Sequence, residues 1–276
     1  MPLVRQVKLP SFDSVNLNST ATLALPIGQT YHYIGIVFGG TGMTVAKMTG
    51  IRLKINGQIV QDWTGTQLNL MNQFNGRADA ATKSILFLDF ERYNLNTRQG
   101  RELTLLRTGV ASKNASFPSV QTATLEIDVS DPTSVTLSAY AAVSGPQAPS
   151  LVKRVRRFGH SAASSGDYQI ADLPKGDVID QIGLSSTVIL ETKLKIDDYT
   201  IFDRTANVNN AVQLDGIRTP QSNLFVVDPS EAGFGDDYIA TVTRAGHMVG
   251  DLRLTPNVSG AGDIDVIYQT IGAAGS

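Results

Sequence analysis

The sequence contains no cysteine. That excludes disulfides, zinc–thiolate sites and thiol nucleophiles, and it permits a reducing compartment. Histidine is almost as scarce, with only His32, His160 and His247. None has a second ligand at metal-binding spacing, so structural roles are expected for all three, and no nucleophile, base and orienting group converge as an enzyme requires. Charged residues are 17% of the chain, against roughly a quarter in ordinary globular domains. With 23 basic and 25 acidic residues the net charge is −2, which gives no reason to expect a specific nucleic-acid partner. Trp63 is the sole tryptophan and aromatics make up 7%, too few for an aromatic sugar-binding platform. No stretch approaches the roughly 18 apolar residues of a membrane span, and Met1–Lys8 lack the apolar core of a secretory signal. The expectation is a chain that is soluble or becomes peripheral by assembly.

What is present is a duplication. Leu25-Pro26-Ile27-Gly28, followed by Ile34-Gly35, returns as Leu173-Pro174-Lys175-Gly176, followed by Ile182-Gly183, at one constant spacing. Arg52-Leu53-Lys54-Ile55 returns as Lys193-Leu194-Lys195-Ile196 at a shorter one, with Asp62 and Thr64 answered by Asp203 and Thr205. The lost residues fit the glycine-rich run Gly39-Gly40-Thr41-Gly42. That run lacks the Lys-Ser/Thr pair of a phosphate loop, being followed by Met43-Thr44, and reads as a longer loop. Leu125-Glu126-Ile127 is matched to Leu252-Arg253-Leu254.

Alternation with period two dominates both copies and predicts strands. In the first they span 20–25, 31–38, 49–55, 58–62, 84–90, 102–107, 122–128 and 135–143. In the second they span 167–170, 178–184, 191–196, 199–203, 223–227, 238–243, 248–254 and 263–269. Ile51, Leu53 and Ile55 share one face, Arg52 and Lys54 the other, and Asn56-Gly57 supplies a type I′ hairpin turn. Leu68, Met71 and Phe74, closed by Asn75-Gly76, predict a helix; Val208, Ala211 and Leu214, closed by Asp215-Gly216, predict its counterpart. Eight strands per copy give an all-β chain of two tandem eight-stranded jelly-roll β-sandwiches, a double jelly roll. The expected boundaries are an N-terminal arm over 1–18, a first jelly roll over 19–145, a linker over 146–166 and a second jelly roll over 167–276. Within the linker, Leu151, Val152, Val155 and Phe158 form an apolar stripe opposite Lys153, Arg154, Arg156 and Arg157, predicting a two-turn basic helix.

Few constellations carry chemistry. Asp197-Asp198 occupies the turn that Asn56-Gly57 fills in the other copy, and Glu231 stands near Asp236-Asp237. Such carboxylates are weak candidates for structural calcium, without EF-hand spacing, and solvated turns explain them more simply. Lys153, Arg154, Arg156 and Arg157 are candidates for contact with lipid head groups or an acidic neighbour, weighed against a solvated linker face. Asn18-Ser19-Thr20, Asn114-Ala115-Ser116 and Asn257-Val258-Ser259 fit the glycosylation pattern, which means little without a secretory signal.

Five stretches together bear a family resemblance: Leu25-Pro26-Ile27-Gly28-Gln29-Thr30-Tyr31, Leu137-Ser138-Ala139-Tyr140-Ala141, Ala148-Pro149-Ser150 with Arg156-Arg157-Phe158, Ile170-Ala171-Asp172-Leu173-Pro174, and Asp251-Leu252-Arg253-Leu254. In this order, the chain resembles the major capsid proteins of membrane-containing icosahedral phages of the corticovirus type, within the double jelly-roll lineage. The resemblance implies a homotrimer whose six jelly rolls make a pseudo-hexagonal capsomer, tiling a shell over an internal membrane. It implies as partners further copies, neighbouring capsomers, other virion proteins and membrane lipid head groups. It also implies synthesis in the host cytoplasm and residence in the virion. Calcium occurs in the group, but no metal motif here can be carried over. The expectation is therefore a non-enzymatic viral major capsid protein. The alternative is a tandem β-sandwich carbohydrate-binding or adhesin module. A jelly-roll hydrolase or oxygenase would need a metal or triad that the residues do not offer.

Overall fold

A computed structural model describes residues 3–111, 117–243 and 245–273. The first copy contains, in order, β1 (Arg5–Lys8), β2 (Thr20–Ala24), β3 (Thr30–Gly39), β4 (Met48–Ile55), β5 (Gln58–Trp63), α1 (Gly65–Phe74), α2 (Ala80–Lys83), β6 (Ile85–Asp89), α3 (Arg98–Glu102), β7 (Leu106–Arg107), β8 (Ala123–Val129) and β9 (Thr136–Ser144). The second contains β10 (Leu151–Ala162), β11 (Gly166–Asp167), β12 (Val178–Ser185), β13 (Ile189–Ile196), β14 (Tyr199–Thr205), α4 (Ala206–Gln213), β15 (Leu224–Val227), β16 (Ile239–Ala240), β17 (Leu252–Val258) and β18 (Gly262–Ala273).

The two copies repeat one wiring. In the first, β1-β9-β3-β6 face β5-β4-β8-β2; in the second, β15-β12-β18-β10 stand opposite β11-β17-β13-β14. Even the two-residue strands correspond, β7 pairing with β3 and β16 with β12. A parallel bridge between Val155 and Gln61 joins β10 to β5, so one sheet runs through both jelly rolls. Local chemistry sets these elements. Strands β8 and β17 alternate buried and half-buried residues along their whole length. The β4–β5 turn has positive φ at Asn56 and Gly57, and the β13–β14 turn at Asp197 and Asp198, which a short carboxylate side chain tolerates.

Four expectations need correction. Residues 151–162 are strand β10, not a basic helix, and they pair with β18 along their full length. Residues 5–8 are strand β1 on β9, not part of a free arm. Each is the opening strand of its jelly roll. Strand β10 does not alternate cleanly, because both its faces are partly covered (Val152, Lys153 and Val155 are all buried), and apolar residues three apart then imitate a helical stripe; β1 is four residues with only Val7 apolar. Of the strand expected over 102–107 only Leu106–Arg107 pair, as β7, while Glu102 closes helix α3, which the Thr97 side chain caps.

The fourth correction concerns register. Thr64 and Thr205 both cap their helices by accepting a hydrogen bond from the backbone three residues on, so Leu68 corresponds to Asn209 and Met71 to Val212. The Asn72 amide donates to the Phe87 carbonyl at 2.8 Å, and the Gln213 amide to the Val226 carbonyl at 2.9 Å, in agreement. Leu68, Met71 and Phe74 are buried as expected, whereas Val208 and Leu214 are 52% and 69% exposed. Similarly, Leu125 pairs with Leu53 and Leu254 with Leu194, so Leu125 corresponds to Leu254 rather than to Leu252.

Candidate functional site

The side chains that join the jelly rolls come from α1, the loop after β6, and strands β12 and β15. Helix α1 is held by a capping box, in which Thr64 and Gln67 satisfy each other's backbone N–H groups. Its Met71 lies over β12, where a Cβ added to Gly183 would stand 3.0 Å from the Met71 sulfur. Leu224, Val226 and Ile267 of the second jelly roll therefore belong to the hydrophobic core built around the first. Gly100 and Gly235 approach so closely that a Cβ on either would press against the other's Cα, at 2.7 and 2.5 Å.

Polar groups complete the seam. Arg92 reaches Asp180 at 2.8 Å and donates to the Gly235 carbonyl at 2.5 Å. Gln181 donates to Asp228, which also takes Arg218 at 2.7 Å. Asp180 occupies the bulge of β12 between Ile179 and Gln181. The bulge of β3 between Tyr31 and Tyr33 places His32 at the equivalent point. The repeated spacing in the sequence thus aligns His32 with Asp180, a signal available beforehand; the arrival of Arg92 from a loop was not.

At His32 the neighbours differ. Its Nδ1 is 2.6 Å from Glu91 and its Nε2 3.0 Å from the Ser144 hydroxyl, while Arg101 donates to Glu91 at 3.1 Å. Burial alone would raise the Glu91 carboxyl, but the His32 hydrogen bond and charge, aided by Arg101, hold it below its ordinary value. The order Ser144, His32, Glu91 has the distances of a nucleophile relay. Ser144, however, is 1% exposed, so its hydroxyl cannot meet a substrate, and the array satisfies buried polar groups. In front of it lies a cavity of about 560 Å³, lined by Leu3, Val4, His32, Glu91, Arg98 and Arg101 among others.

The sequence candidates do not gather. Lys153 is buried, Arg154 pairs with Asp177 at 3.2 Å, Arg157 with Asp62 at 3.0 Å, and only Arg156 is exposed. Their strand directs them to different surroundings rather than to one basic face. Asp197 and Asp198 lie exposed in their turn, where Asp197 accepts from the Asp251 N–H at 2.8 Å. Glu231 is taken by Arg204 at 2.6 and 2.9 Å and by Gln213 at 3.0 Å. Asp236 is exposed, and Asp237 offers its backbone carbonyl to Arg92 at 3.4 Å. Among the described residues no three metal-ligating side chains cluster. Asn18 accepts from the Asp131 N–H, Asn257 donates to Asp167, and Asn114 lies outside the described residues.

Comparison with known proteins follows the same division of the chain. Residues 6–144 match the family described as viral coat protein P2 N-terminal domain, and residues 152–274 match the viral coat protein P2 C-terminal domain. Among solved structures, the major capsid protein P2 from bacteriophage PM2 is 21% identical, with a TM-score of 0.84 over 98% of each chain. The structure of Sulfolobus Turreted Icosahedral Virus gives 12% identity and a TM-score of 0.67, over 98% of this chain and 91% of that one. The PBCV-1 virus capsid gives 10% identity and 0.63, over 98% and 93%. Likeness at these identities speaks for the fold. No curated protein sequence matches.

Proposed function

Because the chain belongs to the viral coat protein P2 family and is a major capsid protein of the virion, we propose that three copies close into a ring of six jelly rolls that tiles an icosahedral shell. The observation that carries this reading is the strand-for-strand repetition of two jelly rolls standing side by side across the β5–β10 junction. Two similar walls per chain allow near-sixfold lateral packing from a threefold closure, with heterologous contacts that complete themselves. The low charge fraction limits the desolvation cost of such contacts. The same proposal gives the protein a purely structural role, with synthesis in the host cytoplasm and partners among other capsid components rather than a specific nucleic acid. It retains the internal membrane implied by the family resemblance, with Arg156 as the exposed cation available to a lipid head group.

Light scattering on the purified chain tests the reading. A stable species of three chain masses is expected. A monomer at micromolar concentration would overturn it.

A further inference from the structure

Helix α4 and its C-cap residue leave Val208, Val212 and Leu214 exposed at 52, 47 and 69%. The counterpart α1 buries the positions equivalent to both valines, Gln67 and Met71, at 5% and 2% exposed. The duplication says what should cover the exposed face of α4. Met71 corresponds to Val212, and Met71 rests on β12 at Gly183, between Leu224 and Ile267. Those three positions have counterparts on the first jelly roll. Gly183 faces Ile267 and Val226, as Gly35 faces Tyr140 and Phe87, and Ser185 faces Leu224 as Val37 faces Ile85. A Cβ added to Gly35 would meet Ile85 at 3.4 Å and Phe87 at 3.6 Å, both of β6, as its nearest neighbours. Ile267 is fully buried under α1, but its counterpart Tyr140 is 44% exposed.

We propose that the outer face of α4 in one copy packs onto the Gly35–Ile85–Tyr140 surface of a second copy, repeating between chains the contact that α1 makes within one. The inference rests on the trimer reading and adds the residues of its interface. A second observation points the same way. Within the chain, the bulge at Asp180 is covered by Arg92; the equivalent bulge at His32 opens into the cavity of about 560 Å³. A second copy seated through α4 would bring its own second jelly roll to the mouth of that cavity. Each chain then uses both surfaces once, donating α4 to one neighbour and receiving another's, which is the requirement for a closed heterologous ring.

The absence of cysteine makes a direct test clean. The variants are Val212→Cys with Gly35→Cys, and Val212→Cys with Tyr140→Cys as a second acceptor at an exposed position. Treated with a short bis-maleimide, each pair is expected to give covalent dimers and trimers on a denaturing gel, while the single variants stay monomeric. Val212→Glu is expected to lower the trimer population at least tenfold while leaving the circular dichroism of the chain unchanged. A native trimer in which neither pair cross-links, or Val212→Glu trimers at normal yield, would overturn the α4 contact and leave the trimer reading standing. A native monomer in the unmodified chain would remove both.

Discussion

The guanidinium of Arg92, in the loop after β6, lies 2.8 Å from the carboxylate of Asp180 in β12, and the two side chains are 1% and 4% exposed. It is a buried ion pair between the jelly rolls, and its second anchor is the Gly235 carbonyl. A pair of this kind adds little over a well-packed apolar substitute, but removal of one partner strands the other charge without water. Arg92→Ala is expected to destabilise the chain by about 3–5 kcal/mol. Arg92→Met with Asp180→Leu should recover most of that loss. Thermal unfolding of the three proteins checks the order, and equal melting temperatures for Arg92→Ala and the parent chain would contradict it.

Much of the fold could be read from the residues, for reasons that differ by element. The β4–β5 hairpin was legible because Asn56-Gly57 admits few conformations and Ile51, Leu53 and Ile55 alternate with Arg52 and Lys54. Strand β10 was not, since a strand covered on both faces loses its period, and Lys153 inside with Arg156 outside resembles neither pattern. Helix α4 was found but rotated by one residue, because apolar side chains were assumed to face inward. Here Asn209 and Gln213 face inward to the Val226 carbonyl, and the apolar face is left outside. The surroundings of the acidic residues were not legible either: Glu231 was read without Arg204, which lies far enough along the chain that only folding brings it near.

Acid should act through Asp128. Burial alone would raise its carboxyl, but Arg52 at 2.6 and 2.8 Å and the Thr20 hydroxyl at 2.6 Å bring it below the ordinary value. A folded-state value below the unfolded one, about 3.9, gives stability that is present above that pH and lost as the pH falls through the folded value. Both side chains are partly exposed, so the contribution is about 1 kcal/mol at most. Asp128→Asn should lower stability at neutral pH and flatten the fall below about pH 4. Denaturant midpoints at pH 7, 4 and 3 measure this; parallel curves for the two proteins would exclude it.

Alkali should act through the buried phenols. Tyr31 donates to the Pro26 carbonyl at 2.6 Å and Tyr268 to the Pro174 carbonyl at 2.8 Å, so the repeated Leu-Pro turn is held by a tyrosine in each jelly roll. Burial pushes Tyr31 up to about 12 against a smaller opposing effect from Gln29, and burial raises Tyr268 as well. With the folded value above the unfolded one, the contribution is complete below about pH 10 and declines as the pH rises towards the folded value. Tyr31→Phe should cost about 1 kcal/mol near neutrality for the lost hydrogen bond, and a smaller loss of stability should follow between pH 10 and about 12. Absorbance titration of the phenolate beside the unfolding curve checks both halves, and ordinary ionisation of every tyrosine near pH 10 would refute the assignment.

The basic residues of β10 should separate by what each one touches. Arg157 is 3.0 Å from Asp62 of β5, beside the only bridge between β5 and β10 among the described residues. Reversing its charge opposes two acids across that junction, so Arg157→Glu is expected to lower the melting temperature and the yield of folded chain. Arg156 sits in the same strand, and its side chain faces outward near Tyr268 rather than into the junction. Arg156→Glu should leave the melting temperature within about 2 °C, as surface substitutions generally do. If Arg156 meets a lipid head group or an acidic neighbour in the shell, the same variant forms its trimer and fails at the later step, with fewer closed particles per trimer. Counting particles by sedimentation, at matched trimer concentration, distinguishes the two residues. Normal particle yield from Arg156→Glu would remove β10 from the assembly surface and leave its charges with a role in joining the two jelly rolls alone.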